Sequence, residues 1–403
     1  MSFSFTIHHR LPGALARTGT IHTPHGDIET PAFIPVGTKA TLKSLTPEQL
    51  EAVGAQAVLA NAYHLYLRPG DEILDEAGGL HAFMNWSKPT FTDSGGFQVM
   101  SLGAGFKKVI DMSGDNPESA RTHKKDKLAH IDNDGVTFKS HLDGNLHRFN
   151  PEISMQIQHN IGADITFAFD ELTTLYHPYE YQVESLDVRT HPWAIRSLAE
   201  HKRLNAERTH RPPQALYGVV QGAHFEDLRR KSAKFLGEMD FDGYGLGGAL
   251  QKDKIGEIVR WMCEELPEDK PRHMLGISEP DDIFDCIENG ADTFDCVSPA
   301  RVGRNGALYT RHGRVNIRRA EFIHDHTPFD ETCDCYTCQH YTSAYLSHLF
   351  RADELLANTL ATIHNERFIV RLVDDIHTSI QDGSFYEFKQ SFLDDYYRKK
   401  HAD

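Results

Sequence analysis

Three cysteines within six residues, followed by a distant histidine, are the residues of this chain whose types and spacing predict chemistry most directly. Cys333, Cys335 and Cys338 are separated by one and two residues, and His364 follows after a further 25 residues. Zinc binds thiolate sulfur and imidazole nitrogen at about 2.0–2.3 Å in a tetrahedron, which ligands from one turn and one later element can supply. Cysteines so close in sequence do not readily reach disulfide geometry. The pattern therefore predicts one zinc ion per chain.

Three histidines compete for the position of the fourth ligand. His364 lies in a run with helical spacing of apolar residues, whereas His340 and His348 lie nearer to the cysteines and compete with it. Spacing alone does not exclude either competitor. Three thiolates and one imidazole would fill the tetrahedral shell, so the zinc is predicted to be structural and the chemistry to lie elsewhere.

The elements that would position a catalytic site are strands alternating with helices. Short apolar, β-branched runs are separated by stretches with helical spacing of apolar residues, a pattern typical of βα units and a parallel sheet. About eight such units in a chain of this length predict a (β/α)8 barrel, an α/β TIM barrel with insertions. The predicted strands are residues 31–36, 55–60, 89–92, 164–169, 215–220, 243–247, 273–277 and 293–297.

Polar residues and glycines stand at the ends of these predicted strands. In a barrel, the carboxyl ends of different strands meet at one mouth, where active sites are built. A polar residue after a single strand is usually a cap or a turn residue, but five or six in register favour a site. The residues in question are Asp93, Asp170, Gln221, Gly247, Gly248, Gly276 and Asp295.

Composition sets the class of protein and its partners. The chain has 403 residues, 39% of them hydrophobic, and a formal net charge of -16, which argues against indiscriminate nucleic-acid binding. Residues 301–319 nevertheless contain six arginines and no acid, so nucleic acid could be held at one place. No apolar run of 18 residues and no signal peptide occur, and the cysteines are typical of a reducing compartment. These features predict a cytoplasmic protein without a membrane partner.

We predict two domains from the order of the motifs. Residues 1–310 would form the barrel, with a polar surface loop near 106–133 inserted between strands. Residues 311–403 would form a zinc-binding subdomain followed by amphipathic helices. No internal repeat is evident in the sequence.

Two motifs resemble those of the tRNA-guanine transglycosylases. They are residues 91–98, FTDSGGFQ, and residues 294–306, FDCVSPARVGRNG, together with the cysteine cluster that follows. The resemblance extends from the N-terminal segment to His364. It implies an interrupted (β/α)8 barrel, a structural zinc, a homodimer as in bacterial members, and exchange of the wobble guanine (G34) of the tRNA anticodon loop for a 7-deazaguanine such as preQ1 or queuine.

The resemblance also implies residue roles that suit this reaction. Asp295 matches the family's nucleophile, which would hold the ribose carbon covalently while the bases exchange, and Asp93 matches the general acid and base. Asp170 matches the acceptor for the donor edge of guanine, while Gln221 and Gly248 would meet O6 and N7. Further predicted base contacts are Ser94, Phe97, Gly247 and Leu275, and predicted tRNA contacts are Gly276, Arg301 and Arg304.

Three other interpretations fit the sequence less well. A catalytically silent RNA-binding partner subunit is disfavoured because Asp93 and Asp295 are both present, and a DNA-modifying relative is disfavoured by the pattern 301–305. A metal-dependent hydrolase barrel is disfavoured because the strands lack a histidine–carboxylate set. Leu172 and residues 247–253 depart from the common bacterial pattern, so the sequence leaves open whether preQ1, queuine or another deazapurine is used.

Overall fold

The structure is a computed structural model that describes residues 3–104 and 129–398. Sixteen strands lie in the described residues, arranged in four sheets. The strands are β1 Ser4–Arg10, β2 Arg17–Thr23, β3 Gly26–Thr30, β4 Ala32–Pro35, β5 Val58–Ala60, β6 Thr90–Thr92, β7 Ala129–Ile131, β8 Val136–Lys139, β9 Leu146–Phe149, β10 Ile165–Phe167, β11 Ala215–Val220, β12 Gly243–Leu246, β13 Arg272–Met274, β14 Thr293–Cys296, β15 Ala307–Thr310 and β16 Gly313–Asn316.

Eight of these strands form the predicted parallel barrel. They are hydrogen-bonded in the order β4-β14-β13-β12-β11-β10-β6-β5, and all neighbouring pairs are parallel. A parallel bridge between Val36 and Leu59 joins β4 to β5 and closes the ring. The fold class predicted from the sequence is therefore confirmed. Each predicted strand has its counterpart, although most are a few residues shorter than predicted.

Helices follow the strands and cover the outside of the barrel. We number sixteen α-helices in the described residues, and a π-helical stretch, Ser185–Thr190, connects α7 to α8. The helices are α1 Pro47–Ala52, α2 Ala62–Leu67, α3 Asp71–Glu76, α4 Leu80–Met84, α5 Gly96–Ala104, α6 Pro151–Ile161, α7 Tyr179–Glu184, α8 His191–Glu207, α9 Glu226–Gly237, α10 Ile255–Glu265, α11 Pro280–Glu288, α12 Ser298–Arg304, α13 Tyr336–His340, α14 Ser343–Arg351, α15 Leu355–Asp382 and α16 Phe385–Tyr397.

Two helices begin at residues whose side chains cap the first turn. Thr46 forms a capping box with Gln49 at the start of α1, and Asn150 accepts a hydrogen bond from the Ile153 amide at the start of α6. Both helices begin with a proline, whose missing N–H and fixed φ suit the first helical turn. None of the described helices combines the length and apolarity needed to cross a membrane.

The barrel interior is a closed apolar core. Inward side chains of the barrel strands, such as Phe91, Phe167 and Tyr217, pack with Ile21 and Ile28 of the antiparallel β1-β2-β3 sheet. That sheet therefore covers the amino-terminal end of the barrel, while the carboxyl ends of the strands remain available for a site. Burying apolar surface in this way is the main stabilising contribution to such a fold.

An antiparallel sheet stands between β6 and β10, and its first strand lies within the predicted insertion. Strands β7, β8 and β9 pair consecutively, and β7 includes residues 129–131, which the sequence analysis assigned to a loop. Alternate residues of β8 are buried, with Val136 and Phe138 in a core shared with α5 and α6. The prediction was wrong there because one short strand flanked by polar residues gives little periodicity. Residues 106–128 of the predicted loop lie outside the described residues.

The C-terminal part is built around one long helix. The predicted domain boundary at residue 310 falls within the β15–β16 hairpin. The division of the chain into two domains remains a prediction. Helix α15 packs against α12, β15 and α13, and it also contacts β1, β2 and β4 at the beginning of the chain. Helices α15 and α16 occupy the C-terminal region for which the sequence predicts amphipathic helices.

A buried carboxylate ties the amino-terminal end of the barrel together. Asp164, just before β10, contacts His25 Nδ1 at 2.6 Å and His81 Nε2 at 3.1 Å, and it accepts a hydrogen bond from the Thr90 amide at 2.9 Å. Two histidines and an aspartate can bind a metal ion. Here, however, the contacts of the carboxylate join the segments before β3, β6 and β10, at the amino-terminal end of the barrel. We therefore assign the cluster a structural role.

We predict that Asp164→Ala lowers the free energy of unfolding by about 3 kcal/mol, because the buried Thr90 amide and both imidazoles lose their acceptor. Chemical denaturation measures this change. The matched control is Asp240→Ala, which breaks an exposed pair with Lys202 and should change stability by less than about 1 kcal/mol. Equal stabilities of Asp164→Ala and wild type would contradict the prediction.

The histidine part of this stability should depend on pH. The hydrogen bond that His25 donates to Asp164 raises the pKa of His25 above its ordinary value of 6.5. A raised folded-state pKa gives a contribution that is complete below 6.5 and lost as pH rises through the folded value. The stability that the charged His25 adds should therefore shrink with rising pH.

Candidate active site and metal centre

The polar residues predicted from strand ends lie together at the mouth of the barrel. Asp93 follows β6 directly, Asp170 lies three residues after β10, and Asp295 is the third residue of β14. Because parallel strands end on the same side of the ring, these carboxylates come from different strands but face one space. The remaining strand-end residues are Gln221 after β11, Gly247 and Gly248 after β12, and Leu275 and Gly276 after β13.

Asp93 is held by donors but remains poorly solvated. Its carboxylate accepts hydrogen bonds from the Asn61 side chain, from the Ala62 amide at 2.8 Å and from the Gly95 amide at 3.3 Å. Burial raises the pKa of Asp93 to about 7, and the nearby charge of Asp295 adds to this effect against the lowering influence of the amides. A carboxyl group with a pKa near neutrality can both give and take a proton at physiological pH.

Asp295 lies beside a buried imidazole. The Asp295 Oδ1 atom is 3.0 Å from His273 Nε2 and accepts a second hydrogen bond from the Gly276 amide at 3.3 Å. The carboxylate side chain is 13% exposed, whereas the imidazole is fully buried. The buried imidazole thus holds Asp295 in place, while part of the carboxylate remains accessible at the mouth.

Asp170 and Gln221 form a hydrogen-bonded pair. Gln221 Nε2 donates to Asp170 Oδ2 at 2.7 Å. Burial raises the pKa of Asp170 to about 7 despite this bond, and the neighbouring Glu171 charge acts in the same direction. The Gln221 Oε1 atom is buried and has no hydrogen-bond partner among the described residues. The pair therefore combines a carboxylate, an amide donor and one acceptor without a partner.

The Gly247–Gly248 peptide passes close to this pair. Gly248 has a φ of +93°, and a β-carbon there would lie 2.4 Å from Gln221 Oε1, so only glycine fits. The buried Arg229 guanidinium donates to the Gly247 carbonyl at 2.6 Å. The carbonyl and the following N–H of a trans peptide point in opposite directions. Arg229 therefore fixes the Gly248 N–H so that it points away from the guanidinium.

The other predicted base contacts lie around the same space. Gly96, beside Phe97 at the start of α5, packs against the backbone of Asp170, and Leu275 packs against Gly247. Ser94 is buried, and its hydroxyl accepts a hydrogen bond from the Gly96 amide at 3.2 Å. Its role in the structure is to shape the turn that carries Phe97. Gly276 is exposed and donates to Asp295.

The arginine-rich segment 301–319 is not uniformly free to bind an anion. Four of its six arginines pair with acids within 4.0 Å, whereas Arg301 and Arg304 of α12 make no such pair with any described carboxylate. Arg301 is exposed and Arg304 is half-buried. The unpaired positive charge is therefore concentrated on α12, next to Asp295. The paired residues are Arg311, Arg314, Arg318 and Arg319.

The structure brings the three cysteines together with His364 and not with its competitors. The His364 Nδ1 atom lies 3.6, 3.7 and 3.3 Å from the Sγ atoms of Cys333, Cys335 and Cys338. Tetrahedral zinc bonds would separate sulfur and nitrogen by about 3.5 Å. His364 Nε2 donates to the Tyr309 carbonyl at 2.7 Å, which leaves Nδ1 free to bind a metal ion. His340 and His348 are outside this group.

Residues next to His364 connect the cysteine–histidine cluster to α12, the helix that carries Arg301 and Arg304. Asn365 donates to the Pro299 carbonyl at 3.0 Å and accepts from the Tyr309 amide at 3.1 Å. Glu366 is fully buried, and its burial raises its pKa to about 8, although the Arg304 charge nearby opposes this. Consecutive residues of α15 thus contact the metal centre, the β15 strand and α12.

Sequence reasoning missed three side chains of this site. Asn61 directly follows β5, so the rule that identified the other strand-end residues could have identified it too. His273 lies inside β13, and Arg229 lies in the middle of α9. No sequence signal distinguishes such residues from ordinary core or surface positions, because their function depends on contacts with distant segments.

Comparison with known proteins identifies the family. The family model described as queuine tRNA-ribosyltransferase matches residues 13–398. Curated proteins named queuine tRNA-ribosyltransferase from Lactococcus lactis subsp. lactis and Thermoanaerobacter pseudethanolicus are 46% and 45% identical over 384 residues, which is 94% of this chain and 93% and 94% of theirs. The one from Halothermothrix orenii is 43% identical over 402 residues, 99% of each chain. The chain belongs to the queuine tRNA-ribosyltransferase family.

Proposed function

We propose that this protein is a pentosyltransferase that exchanges the wobble guanine of tRNA for a 7-deazaguanine through a covalent double displacement. The observation that carries this proposal is the convergence of Asp93 and Asp295 at one mouth, close enough for the charge of one to raise the pKa of the other. Two carboxylates with different surroundings can take the roles of nucleophile and proton donor. Family membership provides the substrate class.

In the first half of the reaction, an oxygen of Asp295 attacks C1′ of the ribose and the bond from C1′ to N9 of guanine breaks. The electron pair goes to the departing base, which takes a proton from Asp93. In the second half, Asp93 removes the proton of the incoming base, whose nitrogen attacks C1′ and releases Asp295. The pKa of about 7 at Asp93 suits both transfers. The target base must leave the stack to reach the mouth.

Recognition of the base follows from the polar groups around the mouth. Asp170 would accept from N1 and N2 of guanine, and the Gln221 amide together with the Gly248 N–H would donate to O6 and N7. Phe97 and Leu275 would cover the two faces of the base, with Ser94 and Gly247 shaping the pocket. A base with the wrong donor edge would leave buried polar groups unpaired, which costs more than a missing apolar contact.

A tRNA would lie across α12. Arg301 and Arg304 have no carboxylate partner in the described chain, so they are available to phosphate or base groups near the wobble nucleotide, and Gly276 lies beside the nucleophile. The net charge of -16 would repel RNA elsewhere. Binding would then be local, in a cytoplasmic enzyme that forms homodimers as bacterial family members do.

The metal ion of the Cys333, Cys335, Cys338 and His364 cluster is proposed to be zinc. Three thiolates and one imidazole are typical zinc ligands, and the spacing of their atoms suits its bond lengths. When bound, zinc would supply structural stability and no reacting group. The four ligands would hold the segment before α13 against α15.

One assay tests the two alternative functions. These are a silent RNA-binding partner subunit and a DNA-modifying relative. Exchange of radiolabelled guanine into tRNA should occur, should be absent with duplex DNA, and should be inhibited by the preferred base. Competition by preQ1 and by queuine in turn identifies the 7-substituent that the pocket accepts. Absence of exchange in tRNA would refute the proposed function.

We predict that Asp295→Ala abolishes base exchange and the covalent complex with tRNA, because no other carboxylate of the sequence matches the family's nucleophile in its motif. Asp295→Asn, which keeps the size of the side chain, should fail in the same way. Denaturing gels of enzyme with tRNA and base detect the complex. A covalent band that persists in either variant would refute the assignment of the nucleophile.

We predict one zinc ion per chain and its loss in His364→Ala, together with a lower unfolding midpoint, because metal binding is coupled to folding. Elemental analysis of the purified protein measures occupancy. His348→Ala is the matched control and should keep its zinc. Full occupancy in His364→Ala with loss in His348→Ala would contradict the ligand set.

We predict that Arg304→Ala weakens tRNA binding and lowers the slope of log affinity against log salt by about one unit, because one cation no longer displaces counterions. Arg314→Ala is the matched control, since Arg314 already pairs with Glu279 at 3.2 Å. Its affinity and salt slope should stay close to wild type. An unchanged slope in Arg304→Ala, or an equal loss in both variants, would refute a role specific to α12.

A further inference from the structure

His273 is a buried polar side chain in the barrel wall directly below the mouth. It is fully buried on β13, between the rings of Phe91 and Phe167, whose centroids each lie 5.3 Å from the imidazole centroid. A polar ring in such surroundings is stable only if its nitrogens find partners. Both do. Nδ1 lies 2.9 Å from the Thr293 hydroxyl, and Nε2 lies 3.0 Å from Asp295 Oδ1.

Strand register explains why the imidazole meets these partners. His273 of β13 is the direct neighbour of Thr293 on β14. Side chains two residues apart on a strand point to the same face, so Thr293 and Asp295 both project towards the imidazole. The ring therefore connects the hydroxyl below it to the carboxylate above it.

The protonation pattern follows from the donor inventory. An ionised carboxylate only accepts hydrogen bonds, so the proton of this contact must be on Nε2. The Thr293 hydroxyl can donate to Nδ1, and a neutral imidazole then satisfies both contacts. The two donors to Asp295, His273 and the Gly276 amide, both contact Oδ1. Among the described residues, no hydrogen bond holds Oδ2.

We propose that His273 is a positioning residue for Asp295. Its Nε2–H group binds Oδ1 of Asp295 and leaves Oδ2 as the oxygen that attacks C1′. This inference depends on the proposed role of Asp295 as nucleophile. A carboxylate held in one rotamer does not populate orientations that cannot react. Correct orientation of a nucleophile is a major source of rate enhancement. The same hydrogen bond persists on the ester intermediate through the carbonyl-type oxygen and stabilises the carboxylate that departs in the second half of the reaction.

Four variants test this proposal on the full-length, metal-loaded protein. His273→Phe keeps a ring in the apolar pocket but has no donor, and His273→Asn reaches only the Nδ1 position next to Thr293. His273→Gln places an amide near the Nε2 position and can donate to Asp295. The matched control is His159→Phe, which removes another buried imidazole, 3.1 Å from His201 Nδ1 and near Asp164 at the end of the barrel opposite to the mouth.

The expected result is a loss confined to the chemical step. His273→Phe and His273→Asn should lower kcat for guanine exchange by about 10- to 100-fold, the usual effect of removing a group that orients a reacting ligand. KM for guanine and the Kd for tRNA should change by less than about threefold, because ground-state binding does not use this hydrogen bond. The rate of formation of the covalent complex should fall in parallel. His273→Gln should recover most of the loss, and His159→Phe should keep wild-type kcat.

Several outcomes would overturn the proposal. Wild-type kcat in folded His273→Asn would do so, as would a His273→Gln variant as slow as His273→Asn, or an equal loss in His159→Phe. Circular dichroism and zinc content show whether each variant is folded, and the Gln and Asn pair decides the question even if His273→Phe does not fold. A wild-type enzyme that forms no covalent complex would instead refute the proposed function itself.

Discussion

Closure of the parallel sheet is the constraint on which the rest of this structure depends. The bridge between Val36 and Leu59 turns eight strands into a ring, and in a ring of parallel strands every carboxyl end opens on the same side. Asp93, Asp170 and Asp295 are far apart in sequence and meet only because of this geometry. The opposite end can then be given over to stability, with the β1-β2-β3 sheet and the Asp164 cluster covering it. Chemistry and stability are thus separated along the barrel axis.

Bringing several carboxylates into one poorly solvated mouth has an electrostatic cost, and the structure offsets it with fixed donors. Burial raises the pKa values of Asp93 and Asp170 to about 7, so each exchanges its proton near neutral pH. Amide groups from Ala62 and Gly95 limit the shift at Asp93, and Gln221 limits it at Asp170. These donors are backbone groups or short side chains on rigid elements, so they need no reorganisation when charge develops. The site is therefore prepared before any substrate arrives.

Much of this architecture could be predicted from the sequence, because it depends on local patterns. Alternating strands and helices predicted the barrel, strand-end residues predicted the mouth, and cysteine spacing predicted the metal cluster. What could not be predicted depends on neighbours distant in sequence. His273 reads as one more residue of a strand until register places it against Thr293, and Arg229 reads as a helical surface arginine until folding buries it under Gly247. The strand at 129–131 was missed because its periodicity is too short to recognise.

Helix α15 comes late in the chain but packs against its beginning. It contacts β1, β2 and β4, carries His364 to the three cysteines, and packs on α12. On the ribosome, the first barrel strand therefore emerges long before the helix that covers it, and the three thiols emerge before their imidazole. Domains that fold as units during synthesis need their partners present. The part of the nascent barrel that α15 covers consequently stays exposed until residues 355–382 have been translated.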